Sequence, residues 1–174
     1  MILLLTGASH TGKTLMAQAL LNKHHIPYLS IDHLKMGLIR SGQTQLSVED
    51  DEKLTAYLWP ILREIIKTAI ENHQHLILEG CYVPFNWKDN FTTSYLKEIH
   101  YLALVMSDDY INTHYDEIIS YGNIIEHRLN NAISMSALIE DNRHFLSECQ
   151  KNDLPYHLID DTYDFNSFDP MNFF

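Results

Sequence analysis

Cysteine, glycine, proline and positive charge are all scarce in this sequence. The chain has only two cysteines, Cys81 and Cys149. They lie far apart with no C-x-x-C pairing, which argues against a disulfide framework or a cysteine-built zinc site and makes a reducing cytoplasm the expected location. Six glycines and five prolines in 174 residues exclude collagen-like and low-complexity character. Lys and Arg number 12 against 23 Asp and Glu, a formal net charge of -11. Such a surface repels polyphosphate backbones and anionic lipid, so neither nucleic acid nor a membrane is an expected partner. No apolar stretch approaches a membrane span, and the run Ile2 to Leu5 is too short for a signal h-region and has no basic flank. Histidine, by contrast, is abundant at 11 residues. His24-His25 and His73-x-His75 fall at expected element ends, and no H-E-x-x-H spacing occurs, so they read as surface residues and not as metal ligands.

The length and the ordinary hydrophobic content suit one domain, residues 1–174. Ile2 to Thr6 reads as a strand buried on both faces of a parallel sheet. A helix from Gly12 or Lys13 to about His24 follows, then a strand over Pro27 to Asp32 and a short helix over Leu34 to Ile39. Ser47-Val48-Glu49-Asp50 has the S-x-x-D form that caps a helix start. Leu54, Leu58, Ile61, Leu62, Ile65, Ile66 and Ala69 then share one helical face, with a kink or break expected at Pro60. HLILE, His75 to Glu79, is the third strand, IHYLALVM the fourth and YHLID the fifth. Helices are expected over Thr93 to Glu98, from Ser107 to about Gly122, and over Ile133 to Gln150. This alternation predicts a three-layer α/β/α fold, a five-stranded parallel sheet with helices on both faces. The aromatic tail FNSFDPMNFF is expected to pack back on the body or on a second copy, so a homodimer is one expectation.

The strongest chemical signal is GASHTGKT, Gly7 to Thr14, which fits G-x-x-x-x-G-K-[ST] between a strand and a helix, the context this phosphate-binding loop requires. Gly7 and Gly12 let the backbone through Ala8, Ser9, His10 and Thr11 curl with its amides inward at the positive end of a helix. Lys13 brings a mobile charge to the β- and γ-phosphates, and the Thr14 hydroxyl can ligate Mg²⁺. No N-K-x-D run and no D-x-x-G switch follows, which disfavours a small GTPase. The third strand ends in a single acid, Glu79, and not in the D-E pair of ring or transporter ATPases.

With GASHTGKT at the first strand, SIDHLKMGL at the second and LILEG at the third, the sequence resembles the small P-loop kinases, the adenylate, shikimate, gluconate and antibiotic-phosphorylating group. The resemblance implies the P-loop NTPase fold, ATP with Mg²⁺, and transfer of the γ-phosphoryl group to a small-molecule acceptor such as a nucleoside, nucleotide or other hydroxylated metabolite. It implies that Asp32 binds or deprotonates the acceptor hydroxyl; the alternative is that the residue caps the following helix, and the two roles are compatible. It puts Glu79 near Mg²⁺ or near the acceptor, and makes residues 33–73 an acceptor-binding segment. There Arg40 and Arg63 either hold an anionic acceptor or pair with local acids. Tyr82, Phe85 and Trp87 form either an acceptor wall or part of the core. Residues from about 110 to 135 correspond to the lid, with Arg128, and then Arg143, as candidates to bridge phosphate oxygens. The alternatives are a regulator that holds the nucleotide without transfer, and a toxin-like kinase acting on a nucleotide sugar.

Overall fold

The computed structural model describes residues 1–121, 133–162 and 169–173. Its order is β1 (Ile2–Gly7), α1 (Lys13–His24), β2 (Tyr28–Ser30), α2 (Ile31–Arg40), α3 (Asp51–Glu71), β3 (Leu76–Glu79), α4 (Thr93–Leu96), β4 (Ile99–Met106), α5 (Asp108–Tyr121), α6 (Met135–Lys151) and β5 (Tyr156–Ile159). Short 3-10 turns cover Trp87–Asn90 and Pro170–Phe173. All strand pairs are parallel, in the order β2-β3-β1-β4-β5, as the strand and helix alternation predicts.

β1 lies at the centre because its side chains serve two cores. Ile2 and Leu4 enter the core formed with α3, Ile31, Val83, Trp87 and Phe145. Leu3 and Leu5 enter the opposite core with Met16 and Leu20 of α1, Ile111 and Ile118 of α5, and Ile159. β4 divides in the same way, Tyr101, Ala103 and Val105 to the first core and Leu102, Leu104 and Met106 to the second. A strand that is apolar at every position is the form a doubly covered parallel sheet requires.

Three expectations are corrected. β2 ends at Ser30, and the next helix begins at Ile31, so Asp32 lies in the first turn of α2 and not at the end of a strand. α3 runs unbroken through Pro60. Pro60 and Ala56, whose carbonyl the proline leaves without its amide partner, are both exposed, so water can satisfy that carbonyl. The S-x-x-D box closes a turn ahead of the helix: the Ser47 amide and hydroxyl both donate to Asp50 Oδ2 at 3.0 Å, and Asp50 is the residue that precedes the first turn of α3.

The described part of the tail packs back on the body. Asp169 is buried and accepts from Lys23 Nζ at 2.7 Å, from the Met171 amide at 3.0 Å, and pairs with His24 Nε2 at 2.8 Å. Met171 rests against the second core.

Two stability outcomes follow from these contacts. Gly7 has φ +136°, and a Cβ there would lie 2.2 Å from the Leu104 carbonyl oxygen. Gly7→Ala should therefore cost about 3 kcal/mol or more in urea denaturation; a loss within the error of the method would show that β1 does not press on β4 there. Burial acts to raise the Asp169 carboxyl, but hydrogen bonds from Lys23, His24 and the Met171 amide outweigh it and hold it below the usual value. A depressed carboxylate contributes stability above its unfolded value near about 4 and loses it as pH falls through the folded value. Asp169→Asn should cost about 1–2 kcal/mol at neutral pH, and the gap between its melting curve and that of the unaltered protein should close as pH falls below about 4. A gap that persists in strong acid would contradict the charge-based account.

Candidate active site

The carboxyl ends of β1, β2 and β3 meet at one edge because their registers are locked together. Leu5 and Ser30 both pair with Glu79, and the Gly80 amide donates to the Leu5 carbonyl at 3.1 Å. Crossovers leave β1 towards β2 on one side and reach β4 and β5 on the other. The crevice at such a reversal of strand order is where open α/β sheets bind ligands.

The loop Gly7 to Thr14 fills this edge. His10 at φ 64° and Gly12 at φ 74° both take left-handed backbone, and α1 begins directly after Gly12. The first-turn amides of α1 have no intrahelical acceptors and lie at the helix's positive end, as an anion cradle requires. The Thr11 hydroxyl donates to the Ala8 carbonyl at 2.9 Å, and the buried Lys13 donates to the same carbonyl at 2.7 Å. Ser9 Oγ and His10 Nδ1 are 2.9 Å apart. The Thr14 hydroxyl donates to Glu79 Oε2 at 3.2 Å, so the two residues expected around Mg²⁺ are in contact. Among the described residues no group of three or more His, Cys, Asp or Glu could hold a metal by itself. That donor set fits Mg²⁺ bound in its usual mode, through one or two protein oxygens, phosphate oxygens and water.

Beside the loop lies a network of four side chains on three segments. Lys35 Nζ donates to Asp32 Oδ1 at 2.5 Å and to the Tyr82 hydroxyl at 2.9 Å, and that hydroxyl donates to Asp51 Oδ1 at 2.8 Å. Tyr82 is 3% exposed, and Lys35 also sits 4.8 Å from its ring centroid. Burial first, then Cys81 and the Asp51 hydrogen bond, push the phenol well above its ordinary value, so it remains a donor at neutral pH. Cys81 joins network and loop: burial pushes its thiol up to about 11, while Lys13, Asp32, Lys35 and Asp51 all act on it electrostatically.

The other expected residues are distributed less centrally. Arg40 is the last residue of α2 and exposed, eight residues and about 12 Å along the helix from Asp32. Arg63 pairs with Glu64 at 2.9 Å, about three turns along α3 from Asp51. Arg143 forks onto Asp108 on the surface. Arg128 lies outside the described residues, as does much of the expected lid segment. Trp87 belongs to the core, stacked on Tyr101, and Phe85 packs edge-on against Phe145.

Three participants escape the sequence reading. Lys35 is one helical turn from Asp32, a pairing that the i, i+3 spacing announces only once both are known to lie on one helix. Asp51 reaches the network through Tyr82, which gives no local signal. Asp141 accepts from the Ser9 amide at 3.1 Å across 132 residues of sequence. Its neighbour Asn142 explains the placement: its buried side chain accepts from the Met106 amide and donates to the Leu138 carbonyl, both at 2.8 Å, which pins α6 to the end of β4.

Asp141 therefore puts a carboxylate against the phosphate loop. Asp141→Asn keeps an oxygen for the Ser9 amide and removes the charge, so affinity for ATP should rise about threefold to tenfold, the scale of one partly screened charge. Unchanged or weaker affinity in a fluorescent-nucleotide titration would show that this carboxylate does not oppose the phosphates.

No family model and no curated protein matches the sequence. Solved structures do match it in three dimensions. A candidate kinase from Chloroflexus aurantiacus aligns over 98% of this chain and 92% of its own, with 19% identity and a TM-score of 0.52. The shikimate kinase of Acinetobacter baumannii, solved in complex with shikimate, aligns over 94% and 84% with 12% identity and a TM-score of 0.52. The shikimate kinase of Bacteroides thetaiotaomicron aligns over 91% and 85% with 14% identity and a TM-score of 0.51. The chain has the fold of the small P-loop kinases.

Proposed function

We propose that the protein transfers the γ-phosphoryl group of ATP to a hydroxyl of a small molecule. The observation that carries this reading is that both parts are tied to the end of β3: Thr14 of the loop bonds Glu79, the last residue of that strand, and the Asp32 network bonds Tyr82, three residues further on.

In this reading the amides from His10 to Thr14 and the Lys13 ammonium hold the phosphates, while the Ser9 amide stays with Asp141 and Lys13 leaves the Ala8 carbonyl. Thr14 and Glu79 would hold Mg²⁺ and its waters; the ion supplies charge neutralisation at the β- and γ-oxygens. Lys35 occupies Asp32 Oδ1, which leaves Oδ2 to take a proton. Asp32 accepts the proton of the acceptor hydroxyl as that oxygen bonds to phosphorus and the bond from phosphorus to the bridging oxygen of ADP breaks. Lys13 stays with the oxygens that gain charge, where a fixed cation in a water-poor site acts most strongly. Arg128 is proposed to add a fork over the same oxygens.

The regulator reading makes a different demand, that Asp32 be dispensable. With labelled ATP and a panel of hydroxylated metabolites, Lys13→Ala should abolish both nucleotide binding and transfer. Asp32→Asn should leave ATP affinity within about twofold and lower transfer by about a hundredfold or more. Equal transfer by Asp32→Asn and the unaltered protein would remove Asp32 as the base, and ATP turnover that no acceptor stimulates would favour the regulator.

A further inference from the structure

Hydrogen-bond acceptors outnumber donors on the acceptor side of the loop. Asp32 and Asp51 bring two carboxylates, and Lys35 is the one ammonium bonded to this network among the described residues. Two of its three protons go to Asp32 and Tyr82. Tyr82 gives its single proton to Asp51 and so has no donor left for a ligand. The network carries two negative charges against one positive, and the buried Glu79 adds a further acid at the adjoining strand end.

A carboxylate or phosphate on the acceptor would need the opposite: free N–H donors, and in a partly desolvated site a cation. Among the described residues, the arginines that could serve are engaged or remote; Arg128, in the proposed reading, belongs with Lys13 to the phosphates. Arg63 is paired with Glu64, Arg143 with Asp108, and Arg40 ends α2 about 12 Å from Asp32. Lys13 belongs to the phosphates of the nucleotide.

Resting on the phosphotransfer reading, we infer that the acceptor is a hydroxyl compound with no acid group, and that an ammonium group near the reacting hydroxyl makes it better: the amino alcohol and amino sugar class. Asp51, beyond Tyr82, supplies the excess negative charge, and Asp32 meets the hydroxyl. Anionic acceptors are disfavoured because, among the described residues, two carboxylates and one cation would face them, an arrangement that discriminates by repulsion as much as by attraction.

The test uses the full chain with ATP and Mg²⁺ and three sets of acceptors matched in carbon skeleton. One set is amino sugars and amino alcohols, one the parent polyols with uncharged nucleosides, and one the corresponding sugar acids with nucleoside monophosphates. Product is read by mass and rates as kcat/KM. Within a matched skeleton the expected order is amine, then neutral, then acid, and Asp51→Asn should shrink the amine-to-neutral ratio about tenfold while the melting curve confirms folding. Any other order, or a ratio unmoved by a folded Asp51→Asn, overturns the inference. Phosphorylation of an acid as the best substrate sinks this inference and leaves phosphotransfer standing. ATP binding with no product from any set sinks both.

Discussion

Everything at the candidate site depends on how closely the end of β1 lies against β4. Gly7 pairs with Leu104, and no side chain fits between them. Because Gly7 also takes φ +136°, the chain can leave the sheet sharply and return as the start of α1 within a few residues. A strand ending in any other residue would push β4 away or carry the loop outward, and either movement would take Lys13 and Thr14 away from Glu79. Gly80 repeats the device at the end of β3, where a Cβ would lie 2.8 Å from Ile31 Cβ. This second close approach sets the start of α2, and with it Asp32, against the same edge.

These features differ in how far the sequence announces them. β1 and β4 are legible because a strand buried on both faces is apolar at nearly every position. The phosphate loop is legible because its spacing and its setting both matter. Asp32 is legible as a residue and not as a position: the sequence predicts a strand that runs to it, yet Ile31 packs against Gly80 and the helix starts there. That error of two residues hides Lys35, since the pairing of Asp32 with Lys35 is visible only along one helix. Pro60 misleads for a related reason. Its cost depends on whether the carbonyl it strands is wet or dry, and that is a property of packing, not of sequence. Asp141 is beyond local reading altogether, because its contact exists only after Asn142 has tied α6 to the end of β4.

Charge makes the arrangement unusual for a site proposed to bind a polyanion. A chain with net charge -11 has little positive charge to distribute, and Asp141, Glu79, Asp32 and Asp51 all lie on or near the loop's edge. The attraction available to phosphate comes from Lys13, from the positive end of α1 and from the inward amides, all acting within a few ångströms. The acids act over a similar range in the opposite sense. Such a balance favours a nucleotide that arrives with a divalent cation, since the metal lowers the charge brought in and Thr14 with Glu79 offers it oxygen ligands.

The same acids give the two sides of the edge different chemistry. On the loop side, donors dominate and acids serve as tethers: Asp141 holds Ser9 and Glu79 holds Thr14. On the α2 and α3 side, the one ammonium bonded to the network among the described residues gives two of its three protons inside it, and the carboxylates leave acceptors in excess. Phosphoryl transfer needs this asymmetry. The donor side must stabilise oxygens that gain charge, while the acceptor side must take a proton and must not compete for the phosphates. Lys35 meets the second requirement because Asp32 and Tyr82 hold it. In the proposed reading, a free lysine at that position would compete with Lys13 for the phosphates instead of standing beside Asp32.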